Sequence, residues 1–93
     1  MVVLVSEVQL YLPDAHSLKQ KRQVLNSIKE RLHNRFHLAV AEVDHADLWQ
    51  RSTLGMAAVS NSGRQADEML AKAVNFIESD GRVQIIDYTI EER

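Results

Sequence analysis

Cysteine is absent from the chain, which excludes disulfide frameworks, thiolate zinc sites and cysteine nucleophiles and leaves His and carboxylates as the available metal ligands. Glycine occurs three times, singly, at positions 55, 63 and 81, so there is neither a phosphate-cradling glycine loop nor a dinucleotide fingerprint. Proline occurs once, as Pro13, and no Pro/Gly/Ser-rich linker or low-complexity segment divides the chain. No long apolar run is present either. The opening "MVVLVSEVQLYL" lacks a basic leader and alternates polar with apolar residues, which predicts a strand rather than a signal peptide or membrane span, and hence a cytoplasmic protein. Ser6, Ser52 and Ser60 fall in strand positions without a Gly-flanked elbow, so no acyl-transfer site is read. The carboxylate pairs Asp67/Glu68 and Glu91/Glu92 are sequential and solvent-facing, which solvation explains. No catalytic residue, cofactor or small-molecule substrate is expected, and the protein reads as a non-enzyme.

What is present is a chain of 93 residues, 45% apolar, sized for a single domain spanning residues 1–93 with one core. Net charge is -2, but residues 1–37 hold six Lys/Arg against three Asp/Glu, and the remainder five against ten. Such a dipole can steer an anionic partner, or it can simply solvate a surface. From Val2 to Leu12 the side chains alternate, with Val2, Leu4, Ser6, Val8, Leu10 and Leu12 on one face. Pro13 and Asp14 end that strand, and Ser17 with Gln20 has the spacing of a capping box. Over residues 18–36, Leu18, Val24, Leu25, Ile28, Leu32 and Phe36 occupy an arc of about 120° on a helical wheel. "HLAVAEV" and "RSTLGMAAVS" read as two strands, "NSGR" as the cap of a second helix over 64–78 that "SDG" stops, and "RVQIIDYTIEER" as a last strand. The order β-α-β-β-α-β predicts an α+β ferredoxin-like sandwich: a four-stranded antiparallel sheet with both helices on one face.

Three groups carry candidate chemistry. On the first helix Lys19, Arg22, Asn26, Lys29 and His33 lie within about 80° of one another beside the apolar arc. Such a row can follow a phosphate backbone, or it can be an ordinary soluble helix surface. Lys21 falls inside the apolar arc, so it must reach out at the first turn or serve a specific partner. Asp44, His45 and Asp47 could ligate a divalent ion, but turn-forming Asp residues explain the same letters and no metal is expected. Trp49, with Asp47, Gln50 and Arg51, has two readings: a Trp covering the end of the core, which is preferred, or a recognition corner. The outward series of the third strand, Arg51, Thr53, Gly55, Ala57 and Val59, offers no aromatic platform for bases and suits packing on another protein or another copy of the chain.

"EVQLYLPDAHSLK", "SLKQKR" at 17–22 and "VAEVDHADLWQRSTLGMAAVS" at 40–60 resemble the YlxP-like family of small bacterial proteins of unknown function, over nearly the whole chain. The resemblance implies a ferredoxin-like fold with no established enzyme activity. Its frequent encoding among genes for transcription elongation, translation initiation and small-subunit assembly implies work around the ribosome. Ser17, Leu18, Lys19, Lys21, Arg22, Asp47, Leu48, Trp49, Gln50 and Arg51 match its recurring motifs. The expectation is a binding module for ribosomal RNA or an assembling small subunit, with Lys19, Lys21, Arg22, Lys29 and His33 as the nucleic-acid contacts. The alternative is a homo-oligomeric adaptor using the open sheet face. The start of the first helix and the end of the hairpin can lie at opposite ends of such a sheet, so no joint site is assumed.

Overall fold

The computed structural model describes all of residues 1–93. Six elements follow the expected order: β1 (Val2–Tyr11), α1 (Leu18–Phe36), β2 (Ala39–Asp44), β3 (Arg51–Ser60), α2 (Gly63–Glu78) and β4 (Gln84–Glu92). The strands form one sheet in the order β2-β3-β1-β4, every neighbouring pair antiparallel. This is the ferredoxin-like arrangement, with the second connection placing β4 beside β1 rather than beside β3.

Strand alternation sets the two faces. Leu4, Val8 and Leu10 of β1, Leu12 just after it, and Leu54, Met56 and Ala58 of β3 are buried beneath the helices. Leu25, Ile28 and Leu32 of α1 and Ala66, Leu70, Ala73, Val74 and Ile77 of α2 meet them from above. α2 lies over β1 and β3 at the centre of the sheet, whereas α1 sits toward β2. Phe36 and Phe76 close the gap between the helices edge to face, 5.7 Å between ring centroids. The Arg35 guanidinium lies 5.0 Å from the Phe76 ring.

The helix ends obey local chemistry with two departures from expectation. Ser17 Oγ accepts from Gln20 N, but the Gln20 side chain reaches back to the His16 amide at 2.7 Å rather than to that of the cap residue. At the far end His37 takes the left-handed conformation, φ 55°, and its amide bonds back to His33 O. α2 is capped by Ser62, whose Oγ accepts from Gln65 N. It ends at Ser79 in right-handed geometry, with Ser79 Oγ donating to Phe76 O, so the stop does not use a left-handed Gly81. Asp80 then holds Arg82, and Arg82 Nη2 donates to Ser27 Oγ of α1 at 3.3 Å.

On the open face Ala39, Ala41 and Val43 run beside Gly55 and Ala57, and beyond them Val3 and Val5. Gly55 is required here by proximity: a Cβ at that position would lie 2.9 Å from Val43 Cγ1. A Gly55→Ala substitution is therefore expected to lower stability by about 1 kcal/mol through overpacking. The loss should disappear in a Val43→Ala background, as measured by urea midpoints in a double-mutant cycle.

Candidate functional site

Three connections gather at one end of the sheet because β1 ends where β3 begins, Tyr11 pairing with Arg51 and Gln84. They are residues 12–17, 45–50 and 79–83. The Lys21 side chain crosses from α1 to the second of them. It is 1% exposed, its Nζ lies 2.8 Å from Glu42 Oε2, and it donates to His45 O at 2.6 Å. Glu42 points to the helices from β2 and takes a second bond, from Ser52 Oγ at 2.7 Å. The start of α1 and the hairpin loop are thus neighbours, not separate ends of the molecule.

The cluster explains Lys21 and corrects its assignment. A side chain whose ammonium is enclosed by a carboxylate and a carbonyl cannot lie along a phosphate backbone, so Lys21 leaves the set of candidate nucleic-acid contacts. The sequence carried a signal for its partner that was not read: Glu42 shares the inward parity of β2 with Val40, an acid out of place opposite a base out of place. Ser52, buried, completes the polar group, whereas Thr53, also buried, faces the other side of β3 and meets the His45 ring.

The loop is held at several points. His45 has φ 63°, its amide bonds to Asp44 Oδ1, and its Nδ1 lies 3.0 Å from Thr53 Oγ1. Leu48 N donates to His45 O, Leu12 N to Gln50 O, and Gln50 Nε2 to Pro13 O. Asp44 and His45 therefore shape the turn. No group of three metal-ligating side chains is assembled, there or elsewhere. Trp49 does not cover the core end: it is 54% exposed, with Leu48 beside it 44% exposed. The physical reason is that the Leu12 and Gln50 main chains already close that end, turning the loop tip outward. Arg51 lies on the open face, one Nη2 reaching Gln9 Oε1 at 3.4 Å.

Of the remaining stripe, Lys19, Arg22, Asn26 and His33 are exposed and Lys29 is half-buried. His33 Nδ1 lies 3.1 Å from Leu38 O. The ion pairs of the protein are Lys21–Glu42, Arg64–Glu68 and Arg82–Asp80, so Lys19 and Arg22 face solvent unpaired. Lys29 is close enough to Glu42 for its charge to act on that carboxyl.

Burial alone would raise the Glu42 pKa, but hydrogen bonds from Lys21 and Ser52, with the charges of Lys21 and Lys29, outweigh it and hold the carboxyl below its ordinary 4.5. A depressed carboxylate contributes stability that is full above the unfolded-state pKa and is lost as pH falls through the lower folded-state value. Glu42→Gln is thus expected to be less stable than the parent at pH 7, with the gap narrowing below about pH 4.5. Lys21→Ala leaves the Glu42 carboxylate without its counter-charge, with only the Ser52 hydroxyl bonded to it, and should cost about 3 kcal/mol, whereas Lys21→Met/Glu42→Leu should recover most of that loss. Urea unfolding across pH 3–7 reads both effects.

Comparison with known proteins bears on the same segments. The family described as "Protein of unknown function (DUF503)" matches residues 3–90. The chain is also 40% identical over 74 residues, 80% of its length and 80% of the relative's, to the Bacillus subtilis (strain 168) "Uncharacterized protein YlxP".

Proposed function

The chain belongs to the DUF503 family of proteins of unknown function, and from that footing we propose that it is a non-enzymatic module that binds structured RNA, such as that of the small ribosomal subunit, along the exposed flank of α1. The observation that carries the reading is the charge of this one helix. With Lys21 enclosed, α1 still presents Lys19, Arg22, Lys29, Arg31 and Arg35 against the single acid Glu30. Lys19, Arg22, Asn26, Lys29 and His33 run along the side of the helix away from α2, next to β2. A helical row at that spacing matches a run of phosphates, and its contacts are electrostatic and independent of sequence. The strand face opposite offers no aromatic for stacking on β3, so recognition by an open-sheet platform is not part of this reading.

A second reading rests on a separate observation. The open face has a shallow apolar hollow of about 340 Å³ over Val5, Ala39, Ala41, Val43, Gly55 and Ala57, and Val59 nearby is 60% exposed. Such a surface suits self-association.

The test is binding of small ribosomal subunits and of an isolated rRNA fragment over a salt series, with Lys19→Glu/Arg22→Glu beside the parent. Both side chains are exposed and unpaired, so folding is expected to be unaffected. RNA binding should weaken with salt, and the double reversal should lower affinity and reduce the slope of log K against log salt by about two. A protein that ignores RNA at low salt and sediments as a salt-insensitive dimer, abolished by Ala41→Glu, would replace the first reading with the second.

A further inference from the structure

The loop at residues 45–50 sets an indole and a leucine in water on a backbone that has little freedom. Its entry is tied to α1 by Lys21 Nζ on His45 O at 2.6 Å, and its exit to the residue following β1 by Leu12 N on Gln50 O at 2.9 Å. The Gln50 amide is spent on Pro13 O. The main chain that carries Trp49, 54% exposed, is therefore held at both ends of the loop. An exposed Trp beside an exposed Leu on a held main chain is the kind of group that contributes most when a partner covers it.

Asp47, Leu48, Trp49, Gln50 and Arg51 line one shallow, open hollow of about 390 Å³. The side-chain hydrogen bonds of this region come from Asp44, His45, Gln50 and Arg51. That leaves the Asp47 carboxylate and the Trp49 indole N–H without partners. Arg51 makes one long bond, to Gln9, and its buried Nε–H has none. One open hollow thus has an aromatic plane, a carboxylate with no protein partner and the cationic side chain of Arg51 along its lining.

Building on the RNA reading above, we propose that this hollow takes a single unpaired guanine of the bound RNA. Trp49 stacks on the base. A carboxylate only accepts hydrogen bonds, and it has two oxygens to fill. Guanine is the one RNA base whose pairing edge offers two adjacent donors, N1–H and the N2 amino group. Adenine, cytosine and uracil each set a lone pair next to their donor and would meet Asp47 with repulsion. Arg51 supplies a positive charge at the rim, which suits O6 or a neighbouring phosphate. Lys19 and Arg22, on either side of the residue that anchors the loop, receive the flanking backbone. The ligand class is therefore a duplex or stem with an extruded guanine, the helix row reading phosphate and the loop reading the base.

The chain has one Trp, so its fluorescence reports this hollow alone. The experiment titrates the full chain with RNA hairpins that differ only in one bulged nucleotide, following both Trp emission and the anisotropy of a dye on the RNA. The bulged-G hairpin is expected to quench emission and to bind about tenfold tighter than the bulged-A, bulged-C or bulged-U hairpins. Asp47→Asn should erase that preference, lowering affinity for the bulged-G hairpin and, with the repulsion gone, raising it for the bulged-U hairpin, and Trp49→Ala should weaken the G complex about tenfold. Salt-dependent binding with unchanged Trp emission, or a G preference that survives Asp47→Asn, overturns the guanine site and leaves the α1 reading intact. Absence of hairpin binding at low salt, with parent and Lys19→Glu/Arg22→Glu indistinguishable, overturns both.

Discussion

An ammonium group 1% exposed must be answered from inside the protein, and the answer given to Lys21 organises half of this molecule. Glu42 of β2 neutralises it, Ser52 of β3 holds that carboxylate, and His45 lends a main-chain carbonyl. One side chain therefore ties a helix to two strands and to the loop between them. Such a pair is weak as a source of net stability, because taking two charges out of water offsets most of their attraction. Its stronger effect is geometric. An apolar side chain could fill the volume of Lys21, but only a directed donor fixes where the backbone of residue 45 stands relative to the first turn of α1.

That fixed relation decides how charge is distributed over the surface. With its most inward base matched to Glu42, α1 turns the rest of its positive charge toward water and has only Glu30 to oppose it. At the opposite edge three acids, Asp87, Glu91 and Glu92, lie along β4. There they also discourage pairing with another strand, as does the irregularity in the β1–β4 register near Gln9. β2, the other edge, is short and has its own register shift between Glu42 and Asp44. The net charge of -2 thus conceals a helix that is strongly basic and an edge strand, across the width of the sheet, that is acidic.

The fold was legible because periodicity is a property of the chain itself. Period-two alternation assigned Leu4, Val8 and Leu10 to the core, and the apolar arc of α1 assigned Leu25, Ile28 and Leu32; the buried residues agree. What was not legible depends on neighbours distant in sequence. Lys21 was visibly out of place on its helix, but its destination required knowing that β2 turns Glu42 inward and that β1 ends beside the start of β3. The same fact brings the two distinctive motifs together, which the order of elements alone left open. Trp49 was misread because a loop has no period. A large apolar side chain there defaults to the core, yet Leu12 and Gln50 had already closed that end with a main-chain bond.

The loop combines two local costs. A buried charge pair sits at its base, and an exposed Trp and Leu sit at its tip. In a domain of 93 residues, total stability is on the order of 5–15 kcal/mol, so neither is negligible. A purely structural account would exchange Lys21 and Glu42 for packed apolar groups and the tip for a polar turn, with no loss of topology. The two features make physical sense together: the pair fixes the position of the tip against the basic helix, and a fixed tip loses little entropy when a partner covers it. The chemistry of that partner follows from what lies within reach of one ligand, phosphate-binding charge on the helix and an aromatic plane with a free carboxylate on the loop.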